Sequence, residues 1–116
     1  MKKILIGGKW IDTNKYIDII NPYNGKSVDS VSKASSDHLK AAVDSAVRGS
    51  KAMKGLSRHR RYEILSNTAE LMLERKDEIA KTMALESGKP LAYSKGEISR
   101  AYETIVLSAE EAKRLG

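Results

Sequence analysis

Two histidines, one run of arginines and one unusually placed glutamate are the side chains whose types and positions could do chemistry. His38 sits within Ser36-Asp37-His38-Leu39 and His59 within Arg58-His59-Arg60-Arg61. A catalytic triad draws its members from separate parts of a chain, and neighbours in sequence do not converge in that way. His38 is therefore expected to face solvent at a helix start, and two isolated histidines supply too few ligands for a metal site. The run from Arg58 to Arg61 puts positive charge at an expected helix N-terminus, where the helix dipole disfavours it. Either carboxylates such as Glu63 offset that charge by pairing with the guanidinium groups, or an anionic partner does. Glu86 poses the mirror-image problem: it closes a helix directly before Ser87-Gly88-Lys89-Pro90, and a carboxylate at a helix C-terminus is unfavourable without compensation. A hydrogen bond or ion pair at the turn answers that need, and so does a bound monovalent cation.

Several chemistries are closed to this stretch of chain. The 116 residues hold no cysteine, which removes disulfides, thiolate metal sites and a cysteine nucleophile. No GxGxxG, GxxxxGK[ST], GxSxG or HExxH pattern occurs, so dinucleotide, P-loop, serine-hydrolase and zincin readings have no motif behind them. With 21 Lys and Arg against 15 Asp and Glu the net charge is +6 and the pI about 9.6. That balance permits contact with polyanions without requiring it. Phe is absent, Trp is single and the five Tyr are dispersed, so the interleaved aromatics of a nucleic-acid surface are missing and no nucleic-acid partner is expected. Mean hydropathy is −0.46, and no apolar run approaches the roughly 20 residues that span a bilayer, so no membrane partner is expected either. After Met1-Lys2-Lys3 only Ile4-Leu5-Ile6 precede Gly7-Gly8, too short an apolar core for a secretory signal.

The elements that must position these residues change character near Ser35. Ile4 to Ile6 and Trp10-Ile11 flank Gly7-Gly8, a pair able to adopt the positive φ of a tight hairpin. Tyr16 to Ile20 and Ser27 to Val31 form a second expected hairpin about the turn Asn21-Pro22-Tyr23-Asn24-Gly25, with Pro22 marking a strand end. From Ser36 the apolar spacing becomes helical, with Leu39, Ala42, Val43, Ala46, Val47, Ser50 and Met53 on one stripe. Ser35 or Ser36 caps this helix, Asp37 suits its positive start, and Gly55 ends it. A second helix starts near Ser57 and turns Ile64, Leu65, Thr68, Ala69, Leu71 and Met72 inward. Arg75-Lys76-Asp77 forms the join to a third, shorter helix carrying Ile79, Ala80, Met83 and Ala84. Gly88 stops that helix, and Pro90 suits the first turn of the last one, which runs toward Gly116. Its expected buried stripe is Leu91, Ile98, Ala101, Tyr102, Ile105, Ala109 and Ala112. Asp44 with Arg48, Asp77 with Lys81 and Glu110 with Arg114 are spaced four apart on polar faces, a favourable pairing distance.

No repeat, low-complexity segment or linker divides residues 1–116, so they read as one segment, hairpins over about 3–33 and helices over about 36–115. Four amphipathic helices offer more apolar stripe than two hairpins can cover, and the expectation is that further polypeptide covers the rest.

The motifs taken together resemble the N-terminal segment of the aldehyde dehydrogenase superfamily. The residues that carry the resemblance are Gly7-Gly8-Lys9-Trp10-Ile11, Ile17-Asp18-Ile19-Ile20-Asn21-Pro22-Tyr23-Asn24-Gly25, Arg61 with Ile64-Leu65, Leu85-Glu86-Ser87-Gly88-Lys89-Pro90, and Glu97 with Arg100-Ala101. Each turn motif is moderately common by itself; their joint occurrence in this order is specific. Lys54 departs from the pattern, standing where relatives often carry an aromatic. Asn21-Pro22-Tyr23 and Lys54-Gly55-Leu56 look most like archaeal lactaldehyde or non-phosphorylating glyceraldehyde-3-phosphate dehydrogenase types.

The resemblance implies an α/β fold in which these residues are the first stretch of a Rossmann-like coenzyme-binding domain, ending near where the family chain departs into its oligomerisation hairpin. It implies a cytoplasmic enzyme that oxidises an aldehyde to a carboxylic acid with NAD or NADP, working as a dimer or tetramer. The family chemistry uses a cysteine thiolate, an Asn oxyanion donor, hydride transfer to nicotinamide and a Glu-activated water. None of those groups maps onto these residues, so catalytic and cofactor-binding positions lie in the remainder of such a chain and this segment alone is expected to be inert. By the same resemblance, Glu86 and the backbone carbonyl of Ile20 match positions that hold a structural sodium ion in some members. The competing reading is a self-sufficient small α/β module that uses Arg58, Arg60 and Arg61 to hold an anion or a protein partner.

Overall fold

A computed structural model describes residues 2–115; Met1 and Gly116, the ends of the expected segment, lie outside the described residues. The element order is β1 (Ile4–Ile6), β2 (Lys9–Ile11), β3 (Tyr16–Ile20), β4 (Ser27–Ser32), α1 (Ser36–Lys54), α2 (Arg58–Glu74), α3 (Lys76–Ser87) and α4 (Leu91–Arg114). The fold is α/β, hairpins first and helices after, in two compact units, Met1–Gly55 and Leu56–Gly116.

In the first unit β1 pairs antiparallel with β2, Leu5 opposite Trp10. The turn works because Gly7 and Gly8 take φ of 58° and 78°, angles that a Cβ disfavours. Gly7 has a second reason to lack a side chain: a Cβ there would stand 3.2 Å from Ser45 Oγ of α1. β3 pairs antiparallel with β4, Tyr16 opposite Ser32, and the register shifts between Ile19 and Ile20. A connection that the hydropathy pattern does not reveal ties the N-terminal residues to β4. Lys2 N–H donates to Ser30 O and Lys2 O accepts from Ser32 N–H, both at 2.8 Å, in a parallel bridge with Val31.

α1 begins at Ser35, whose Oγ accepts from His38 N–H, while Ser35 N–H donates to His38 Nδ1 at 3.1 Å. This is a capping box in which histidine does the work usually done by Glu or Gln. His38 is thus half-buried and engaged with the backbone, not simply facing solvent as its sequence context implied. None of the α1 residues is buried; Leu39, Val43 and Val47 are each more than half exposed.

In the second unit α2 and α3 pack on α4. The buried apolar positions are Ala69 of α2, Ala80 of α3 and Ile98 and Ala109 of α4, three of them small. Ser94 is fully buried as well, its Oγ turned back to Pro90 O; the periodicity did not single it out because serine reads as polar. The expected inward stripe of α2 is too wide. Ala69 is buried and Leu65 and Met72 are half-buried, but Ile64, Thr68 and Leu71 are exposed, and Leu91 of α4 is exposed too. An apolar stripe spans more of the helix surface than one neighbouring helix can cover.

Polar side chains join these helices across α3 and α4 through Lys76 Nζ to Ser99 Oγ at 2.8 Å and Asp77 to Lys95 at 2.7 Å. Asp77 therefore pairs with the neighbouring helix and not with Lys81. The Glu110–Arg114 pair is replaced by Glu110 with Lys113 at 3.2 Å and Glu111 with Arg114 at 2.9 Å. Residues three apart on a helix are as close as those four apart, and Lys113 is also drawn to α2, its Nζ 3.5 Å from the centre of the Tyr62 ring. Asp44 and Arg48 make no ion pair among the described residues.

Candidate functional site

The two turns that carry the resemblance are wired by their own side chains. Asn21, buried at the end of β3, accepts from Tyr23 N–H through Oδ1 at 2.9 Å, while its backbone N–H donates to Lys26 O at 2.9 Å and its carbonyl accepts from Gly25 N–H at 2.8 Å. Asn24 Oδ1 repeats the device with Lys26 N–H at 3.0 Å. Asn side chains that bond their own backbone two residues on make tight turns, so this motif folds a hairpin end. Ile20, directly before it, is about half exposed and paired with Ser27.

The second turn closes α3. Gly88 is left-handed at φ 72°, its N–H donating to Ala84 O at 2.9 Å, as a helix C-terminus requires. Ser87 Oγ donates to Met83 O at 2.6 Å. Lys89 then reaches Glu97 of α4 at 2.7 Å, both side chains partly buried, and its hydrogen bond holds the Glu97 carboxyl below the usual carboxylate range. Pro90 precedes α4 as its N-cap, one position earlier than expected, so its missing N–H costs nothing. Glu86 lies on the exposed side of α3 and makes no hydrogen bond or ion pair among the described residues. Ile20 belongs to the first unit and Glu86 to the second.

The arginine run resolves largely into local pairs. Glu63 accepts from Arg60 at 3.0 Å and lies 3.4 Å from His59; the Arg60 bond lowers the Glu63 carboxyl from its usual value. Arg61 donates to Leu56 O at 2.9 Å and thereby helps close the start of α2, and Ser57 Oγ caps it through Arg60 N–H at 3.1 Å. His59 stacks against Tyr62 with ring centres 6.2 Å apart. Arg58 is exposed. Beside Arg61, an open groove of about 710 Å³ runs along the C-terminal half of α4, lined there by Thr104, Leu107, Ser108, Glu111, Ala112 and Leu115. Thr104 and Ser108 spend their hydroxyls on carbonyls one turn back, and Glu111 is held by Arg114, so the groove offers mainly apolar surface.

A dinucleotide site needs N–H groups at a helix start aimed at the pyrophosphate. Here Ser35 and Ser57 each take one N–H at the starts of α1 and α2, α3 opens with Asp77 and Glu78, and α4 follows a proline. Gly88, which is left-handed, closes α3 at its C-terminal end, where the dipole repels phosphate. Among the described residues no GxGxxG turn leads into a helix start. Among the described residues no group of three or more His, Cys, Asp or Glu is arranged to hold a metal ion, and no helix is long and apolar enough to cross a membrane.

Comparison with known proteins gives this geometry a context. Succinate-semialdehyde dehydrogenase [NADP(+)] GabD of Escherichia coli (strain K12) is 45% identical over 116 residues, covering 98% of this chain and 24% of its own length. The lactaldehyde dehydrogenase of Methanocaldococcus jannaschii is 36% identical over 106 residues, covering 91% of this chain and 23% of its own. The crystal structure of an E. coli NADP dependent enzyme superposes with a TM-score of 0.94 at 44% identity, over 99% of this chain and 24% of that one. The chain thus spans about a quarter of the length of the relatives it matches. Residues 10–116 match the aldehyde dehydrogenase family, and the chain belongs to that family.

Proposed function

We propose that these residues serve an NAD(P)-dependent oxidation of an aldehyde to a carboxylic acid as a structural part of the coenzyme-binding domain. The observation that carries the reading is the family match across nearly the whole chain, set beside a span of only a quarter of each relative. The absence of cysteine from the sequence supports a supporting role, since the nucleophile then comes from the remainder of an aldehyde dehydrogenase polypeptide, where the proposal places the cofactor contacts too. Assembly as a dimer or tetramer and a cytoplasmic location belong to the same proposal. The 45% identity to a succinate-semialdehyde enzyme against 36% to a lactaldehyde enzyme favours a short aldehyde of the semialdehyde kind and NADP.

The test compares two polypeptides, the 116 residues and the full reading frame, for aldehyde-dependent reduction of NAD and NADP with succinate semialdehyde and lactaldehyde. Activity confined to the longer one is expected; turnover by the 116 residues alone would overturn the reading. The Glu86 carboxylate, exposed and without a partner in its unit, is proposed to meet a sodium ion in the complete enzyme. Sodium should then raise the melting temperature of that enzyme and not of its Glu86→Gln variant; equal responses would remove the ion from the proposal.

A further inference from the structure

We draw no further inference here: the strongest candidate, the open apolar groove beside Arg61 along the C-terminal half of α4, carries nothing because nothing in the structure shows what covers it.

Discussion

The two units solve the problem of burial in opposite ways. In the second, helices bury apolar side chains on one another, and Ala69, Ala80, Ile98 and Ala109 leave solvent almost completely. In the first, the buried residues are polar: Asn21, tied into its turn, and Ser32, whose backbone bridges to Lys2. The Ser32 hydroxyl has no hydrogen-bond partner among the described residues. α1 is the more plainly amphipathic of the early helices, yet none of its residues is buried. The contrast teaches that an apolar stripe states what a helix needs and not what it has. The stripes of α2 and α4 became a core where the two helices pack on each other, and small residues such as Ala69 and Ala109 are the ones enclosed there.

The sharpest way to break this contrast is to delete methylenes on each side of it. Ile98→Ala should cost about 2–5 kcal/mol, the usual range for a buried aliphatic side chain, whereas Val43→Ala in α1 of the same 116 residues should stay within about 0.5 kcal/mol, as at an exposed site. Urea unfolding measures both, and equal losses would end the distinction between the units. In the complete enzyme Val43→Ala should become distinctly more costly than in the 116 residues, if further polypeptide covers α1.

Next in size is the left-handed stop of α3. Gly88→Val should destabilise the complete enzyme by about 1 kcal/mol or more, because a β-branched residue is strained at φ 72°; an unchanged melting temperature would refute that role. For the first unit, Ser35→Ala should cost about 1 kcal/mol by removing the α1 cap. Amide exchange should quicken in the first turn of α1 and leave α4 unchanged.

The smallest expected effect is electrostatic. Lys89 holds Glu97 below its ordinary value of 4.5, and a carboxyl lowered on folding stabilises at pH values above its unfolded one. That contribution is lost as pH falls below about 4.5 through the folded value. Unfolding measured down a pH series should therefore show a shallower acid decline in Lys89→Met than in the parent. Because both side chains are partly exposed, the difference should be small.

Much of this architecture was legible beforehand because it rests on local chemistry. Gly7-Gly8, Asn21 to Gly25 and Gly88 declare their turns through backbone angles that few other residues tolerate, and Ser35 and Ser57 declare helix starts through a hydroxyl at the right offset. The family, too, was readable, since it is carried by those turn motifs in order. The ion pairs were not. Asp77 chose Lys95 over Lys81, and Lys113 took Glu110 while lying over Tyr62, because a long flexible cation goes to whichever partner a neighbouring helix brings near. Nor did the spacing reveal that His38 would close a capping box.

Residue types and their offsets by themselves determined where strands turn, where helices start and stop, and that no thiolate chemistry resides in these 116 residues. Those features depend on interactions spanning a few positions, which the order of residues fixes directly. Only the tertiary structure decided which apolar stripes become a core, that Ser94 is enclosed while Leu39 and Leu71 stay wet, and that Lys2 closes on β4. Burial depends on what another segment places across the gap, and that geometry is not written in the spacing of any one element.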